Sequence, residues 1–212
     1  ILVLDKGFWP LAGEWGPVLA VLAAVSMTVG NLVAVRQRQV VRLLAWSSIA
    51  QAGYMLAPLG VLGGGPATVA YVAIYSAMNL GAFAVVALVG RRGATLDDYR
   101  GLVRERPLAG GALAFFLICL AGLPPGLAGL FAKIAVFGAV VNGGYGWLAL
   151  VMAVNTVIGL YYYLTWIARL FSAGSANRGP MPRPAGIAIG VALAGTVALS
   201  VVPQLVFGIS PS

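Results

Sequence analysis

The stretch that decides the fold is LAGLPPGLAGLFAKIAV, residues 120–136. A double proline, Pro124-Pro125, interrupts an apolar run, and eight residues later Lys133 sits among Leu, Phe, Ala, Ile and Val with no acidic neighbour in the run. Proline lacks a backbone donor and clashes with the preceding turn, so a helix cannot pass through this point intact. An ionised lysine at the centre of a membrane helix costs about 2.5–3.5 kcal/mol on insertion scales, so such residues generally face the bundle interior or a cavity.

The surrounding chain says that this is a membrane setting. It has 212 residues, 61% hydrophobic and 8% charged, with a mean hydropathy of +0.97, far from the usage of soluble domains. Six apolar stretches are long enough for an apolar bilayer core of about 30 Å. They run from Pro17 to Val35, Val40 to Leu62, Pro66 to Val89, Leu108 to Val141, Trp147 to Phe171 and Gly186 to Phe207. Backbone groups in lipid must pair internally, and segments this long and uniformly apolar do so as helices rather than as barrel strands. A continuous helix from Leu108 to Val141 would be about 50 Å long at about 1.5 Å per residue. The expected fold is therefore an all-α polytopic transmembrane bundle of six spans, the fourth broken at Pro124-Pro125. Residues 1–16 are expected as an extracytoplasmic loop, 17–207 as the bundle and 208–212 as an extracytoplasmic tail. The alternative for the fourth span is a simple proline kink. The chain opens on Ile1 without a cleavable signal pattern, which reads as a piece of a longer protein.

The charges set the topology. Of 13 basic residues, all but Lys6 and Lys133 fall in or beside the first, third and fifth connections: Arg36, Arg38 and Arg42; Arg91, Arg92, Arg100, Arg104 and Arg106; Arg169, Arg178 and Arg183. The second and fourth connections carry no charge. The positive-inside rule places the basic loops in the cytoplasm and both ends outside. Basic residues confined between apolar segments are no nucleic-acid module, so the net charge of +8 implies no nucleic-acid partner. With no His and only Cys119, the chain has no His/Cys zinc site, iron-sulfur site or internal disulfide to offer, and Cys119 reads as a packing residue. The third connection contains Thr95-x-x-Asp98, the pattern that caps a short helix.

Polar residues inside the spans supply the candidate site. Ser47, Gln51 and Tyr54 share one face of the second span, with Ser48 beside them; Tyr71, Tyr75, Ser76 and Asn79 are expected to do likewise on the third. Taken singly, each reads first as interhelical glue. Taken with a buried lysine and a broken helix, they can line a hydrated path, for which broken helices at mid-membrane depth are a known feature of transporters. Lys133 is the candidate proton-relay group; the alternative is a lysine that snorkels or holds a lipid. A like charge about 8 Å away would raise the cost of its protonated form by about 2 kcal/mol at an effective dielectric near 20, enough to switch it. Gly186, Gly190 and Ala194 form a small-residue ladder expected to be ordinary packing surface on the last span.

In order and spacing, VVRLLAWSSIAQAGYMLAPL, SAMNLGAFAVVALV, DDYRGL, LAGLPPGLAGLFAKIAVF and NTVIGLYYYL resemble the antiporter-like membrane subunits of respiratory complex I. The resemblance runs from Trp15 to Phe207, and its most specific elements are the Pro-then-Lys segment and GLYYYL at 159–164. It implies the second of two inverted five-helix repeats, each with a broken helix, plus the final helix. By motif, Lys133 takes the place of the lysine that ends the chain of charged groups along the membrane arm; other antiporter-like subunits can carry Glu there, so Lys favours one branch. Asn79, Ser47 and Ser48 fall on polar positions of the central axis. The chain departs from the pattern twice: Val41 precedes Arg42, and Gln51 stands where His is common, so a relay through that point needs water.

The resemblance implies a subunit of an enzyme coupling NADH oxidation and quinone reduction to proton translocation in a bacterial cell membrane. It implies no cofactor in this chain, flavin and iron-sulfur clusters in partner subunits, and other membrane subunits, lipid, water and protons as partners. Two further readings stand beside it: a subunit of a multisubunit cation/proton antiporter, and a scaffold whose Lys133 pairs with a partner's acid.

Overall fold

A computed structural model describes residues 12–61, 63–90, 93–174 and 183–201. Among these the chain forms eight α-helices: α1 Ala12–Val35, α2 Val40–Leu56, α3 Gly65–Val89, α4 Leu102–Glu105, α5 Pro107–Ala121, α6 Leu127–Asn142, α7 Gly146–Phe171 and α8 Arg183–Val201. A 3-10 turn, Ala57–Gly60, extends α2, and another, Leu96–Tyr99, precedes α4. Among the described residues three helices are long and apolar enough to cross a membrane, over Glu14–Val35, Gly65–Val89 and Gly146–Phe171; shorter apolar helices accompany them. The chain is an all-helical membrane bundle.

The local chemistry explains the boundaries. Pro66 lies in the first turn of α3 and Pro107 opens α5, where a missing backbone donor costs nothing. Helix α5 stops at Gly122, which takes a left-handed φ of 78° and turns its amide back to the Ile118 and Cys119 carbonyls, both at 3.0 Å. The expected fourth span is thus two half-helices, α5 and α6, joined by residues 122–126 with a cis Pro124-Pro125 bond. A Cβ on Gly126 would lie 2.7 Å from the Cys119 Cα, and one on Gly129 would run into the Cys119 carbonyl oxygen. The halves therefore pack backbone to backbone, a contact that only glycine permits.

Some boundaries differ from the sequence expectation. Helix α1 begins at Ala12, not Pro17, so residues 12–16 are helical rather than loop. Residues 1–11, including Lys6, and the tail 208–212 lie outside the described residues, as do Arg91, Arg92 and Arg178. Of the small-residue ladder on α8, Gly190 and Ala194 do not pack against the described residues, and the environment of Gly186 lies outside them. Nothing lies within 4 Å of a Cβ placed on Gly190, and Ala194 is exposed, whereas Ile189 and Thr196 face inward.

The two ends of the bundle differ in charge. At one end the first and third connections pair, Val40 N donating to Ala94 O and Leu96 N to Arg38 O, each at 3.0 Å. Gly101 N reaches the Arg169 carbonyl at the end of α7, and Asp97 holds both Arg100 (3.0 Å) and Arg169 (3.7 Å). The Thr95 backbone amide and hydroxyl both donate to Asp98 Oδ2, at 2.7 and 2.9 Å, the cap expected from Thr-x-x-Asp. At the other end Gly16 meets Gly60 and Gly143 meets Val61, with the acidic Glu14 in the first turn of α1 nearby. Alternate connections thus share an end, as helices in series require.

Candidate functional site

Lys133 is the seventh residue of α6 and is 7% exposed. Its Nζ donates to the Ala121 carbonyl, the last of α5, at 2.7 Å, and lies 5.9 Å from the centroid of the Tyr54 ring. The double proline accounts for this partner. In an unbroken helix the carbonyls of Leu120 and Ala121 would accept from the amides four residues on, but those residues are Pro124 and Pro125, which have none. The lysine supplies the donor that the prolines withhold from Ala121. The C-terminal end of a helix carries partial negative charge, so a cation there is favoured even with no carboxylate at hand. Among the described residues no acidic side chain pairs with Lys133; Asp97, for example, pairs with Arg100 and Arg169 instead.

The polar faces of α2 and α3 meet, with a third contribution from α7. Tyr75 donates to Ser48 Oγ at 2.8 Å, Asn79 Nδ2 donates to the same oxygen at 3.3 Å, and Ser48 passes its own hydrogen to the Leu44 carbonyl at 2.9 Å. Tyr163 of α7 donates to Ser47 Oγ at 3.1 Å, and Ser47 also donates to Leu44 O, at 3.0 Å. Tyr71 donates to Gln51 Oε1. Tyr54 donates to the Met152 carbonyl at 2.8 Å and lies the same distance from Thr156 Oγ1. The Tyr54 and Tyr71 rings stack at 6.3 Å, and Tyr71 and Tyr75 at 6.5 Å.

The structure therefore brings Ser47, Ser48, Gln51, Tyr54, Tyr71, Tyr75 and Asn79 into one continuous polar region. Ser76 is the exception: it is exposed, because the Tyr71, Tyr75, Asn79 series at four-residue spacing leaves it off the inward face. Lys133 itself bonds to none of these side chains and meets the region only at the Tyr54 ring. The hydroxyl chains through Ser47, Ser48 and Tyr54 end on a backbone carbonyl, Leu44 O or Met152 O, and that of Tyr71 on the Gln51 amide oxygen; such an oxygen accepts a hydrogen but has none to pass on. One acceptor in the region, Asn79 Oδ1, is buried and without a hydrogen-bond partner among the described residues.

Several participants escaped the sequence reading. Tyr162 and Tyr163 face inward while Tyr161 is exposed, so two residues of the YYY run belong to the interior. Tyr162 donates to Asn31 Oδ1 at 3.0 Å; Asn31 Nδ2 donates to Asn155 Oδ1 at 3.0 Å, and Asn155 Nδ2 to Thr28 at 3.2 Å, tying α1 to α7. The signal that could have found them is polar residues in otherwise apolar helices, since an amide in lipid requires a partner.

Residues 2–159 match the family described as NADH:quinone oxidoreductase/Mrp antiporter, TM. Over 97% of its length the chain is 51% identical to NADH-quinone oxidoreductase subunit N 2 of Streptomyces griseus, covering 44% of that protein. It superimposes on a chain of respiratory complex I from Thermus thermophilus with bound aureothin with a TM-score of 0.78 and 35% identity, covering 91% of this chain and 45% of that one. A chain of the Mrp complex from Dietzia sp. gives a TM-score of 0.81 at 21% identity, covering 93% and 46%, a likeness of fold alone. The chain spans less than half the length of each of these proteins.

Proposed function

This chain belongs to the NADH:quinone oxidoreductase/Mrp antiporter transmembrane family, and from that premise we propose that it is part of a proton-translocating membrane-arm subunit of an NADH-quinone oxidoreductase. In this reading Lys133 is the group that holds and releases the proton. The carrying observation is its burial on a helix break, with a backbone carbonyl as hydrogen-bond partner and no acid to neutralise it among the described residues. An amine fixed in a carboxylate pair would be held as an ammonium; one held by a carbonyl can hydrogen-bond in both protonation states.

The neighbouring side chains set the path. Because the hydroxyl chains terminate on the Leu44 and Met152 carbonyls and, for Tyr71, on the Gln51 amide oxygen, the serines and tyrosines act by orienting water rather than by handing protons along themselves. Asn79 Oδ1 is the open acceptor at which such a water can donate. Gln51 has no titrating proton and serves the same lining role, as do Ser47, Ser48 and Tyr75. The described helices are read as six spans, α5 and α6 together forming the fourth, with the arginine-bearing end in the cytoplasm and both ends of the chain outside. The redox chemistry, with flavin and iron-sulfur clusters, is assigned to partner subunits, a context supported by the likeness to a subunit of the Streptomyces NADH-quinone oxidoreductase.

The test is Lys133→Ala in the full-length subunit within the assembled complex. The complex is expected to assemble and to reduce quinone with diminished proton-coupled turnover; failure to assemble would instead mark Lys133 as a scaffold residue. The family and the Dietzia fold favour one second reading, a subunit of a multisubunit cation/proton antiporter. Co-purification with flavin and iron-sulfur subunits separates the two: the redox reading requires it, whereas the antiporter reading requires a purely membrane-bound assembly with sodium-dependent flux.

A further inference from the structure

We infer that Gly122 is a positioning residue for Lys133: the side chain it lacks is the space through which the lysine folds back onto the Ala121 carbonyl. The inference rests on the proton-holding reading of Lys133 and names the feature of the break that seats the amine.

Three observations carry it. A Cβ on Gly122 would lie 2.9 Å from Lys133 Cδ, 3.2 Å from Nζ and 3.3 Å from Cε, so the last atoms of the lysine occupy the room that any other residue would fill. All three atoms belong to the far end of one flexible side chain, so a substitution displaces the lysine and leaves the backbone unopposed. The other two glycines of the break behave differently. A Cβ on Gly126 or Gly129 meets the backbone of Cys119, so those positions hold the half-helices together. The glycines of the break thus have separate roles, two seating α6 against α5 and one seating the amine.

Gly122 also carries a φ of 78°, a second reason for glycine, and the two reasons must be separated. Asparagine tolerates the left-handed region better than other side chains while adding a Cβ. Gly122→Asn therefore keeps the turn and fills the space. The full-length subunit carrying it is assembled into the complex and reconstituted in vesicles, where quinone reduction and protons moved per electron are measured together. The expected result is retained quinone reduction with protons per electron lowered. A merely structural role of Gly122, acting on assembly or electron transfer, would not move that ratio.

A double-mutant cycle then asks whether the effect runs through the lysine. Adding Gly122→Asn to Lys133→Ala is expected to change the coupled rate by less than about twofold, against about fivefold or more when lysine is present, the pattern of residues acting through one interaction. Equal losses in both backgrounds, or wild-type coupling in Gly122→Asn, overturn the inference. If Lys133→Ala itself couples normally, the proton-holding reading fails first; if it does not while Gly122→Asn does, only the positioning role fails. Should the asparagine variant not assemble, an experimental density map of the unmodified complex decides: Nζ on the Ala121 carbonyl beside Gly122 supports the inference, and Nζ turned elsewhere overturns it.

Discussion

Tyr163 of α7 donates its phenolic hydrogen to Ser47 of α2 across 3.1 Å, while Ser47 donates to Leu44 O. The bond joins residues 116 positions apart and closes the polar region against α7. Tyr163→Phe removes the donor and keeps the ring, which packs 4.5 Å from Tyr162. Since a hydrogen bond between membrane helices averages about 0.6 kcal/mol, stability is expected to fall by about that amount. Coupled turnover should stay within about twofold of the parent, because a tyrosine that orients a serine is not itself the proton carrier. Denaturant unfolding in detergent and turnover of the assembled complex check the two halves of this prediction.

Asn79 and Gln51 are expected to behave differently from Tyr163. Asn79→Ala removes the open acceptor and Gln51→Ala removes the partner of Tyr71. Both should slow proton transfer while leaving the assembled complex at parental levels. Native gel electrophoresis together with the rate of vesicle acidification reads both outcomes, and wild-type rates in both variants would remove these residues from the path.

Gly129→Val is predicted to act on the fold. The added side chain would drive into the Cys119 carbonyl, a backbone atom with no freedom to give way. The expected outcome is loss of assembled subunit from the membrane, seen by immunoblot. Gly190→Val on α8, where a Cβ meets no atom of the described residues within 4 Å, is the control expected to be tolerated.

Much of the fold is legible in the sequence because its determinants are local. Apolar length implies the helical bundle, the chemistry of Pro124-Pro125 implies the break, and spacings of four and three residues place Ser47, Gln51 and Tyr54 on one inward face. Lys133 stands out because a charge in an apolar run is costly. The rest depends on contacts between distant segments. That Lys133 bonds to Ala121, twelve residues back, follows only once the half-helices overlap. The Asn31–Asn155 bond spans 124 residues, and neither amide carries a local signal naming its partner. The sequence groups Ser76 with Tyr75, yet adjacent helical residues point about 100° apart, and the packing of Tyr71 and Tyr75 settles which face turns in.

The central claim is that Lys133 works by changing its protonation state, and replacement by arginine tests it most directly. Arginine keeps a positive charge and hydrogen-bond donors at the break but does not release its proton. In vesicles containing the assembled complex, Lys133→Arg is predicted to translocate as few protons per electron as Lys133→Ala. Parental proton translocation by the arginine variant would contradict the account, because a fixed charge would then suffice.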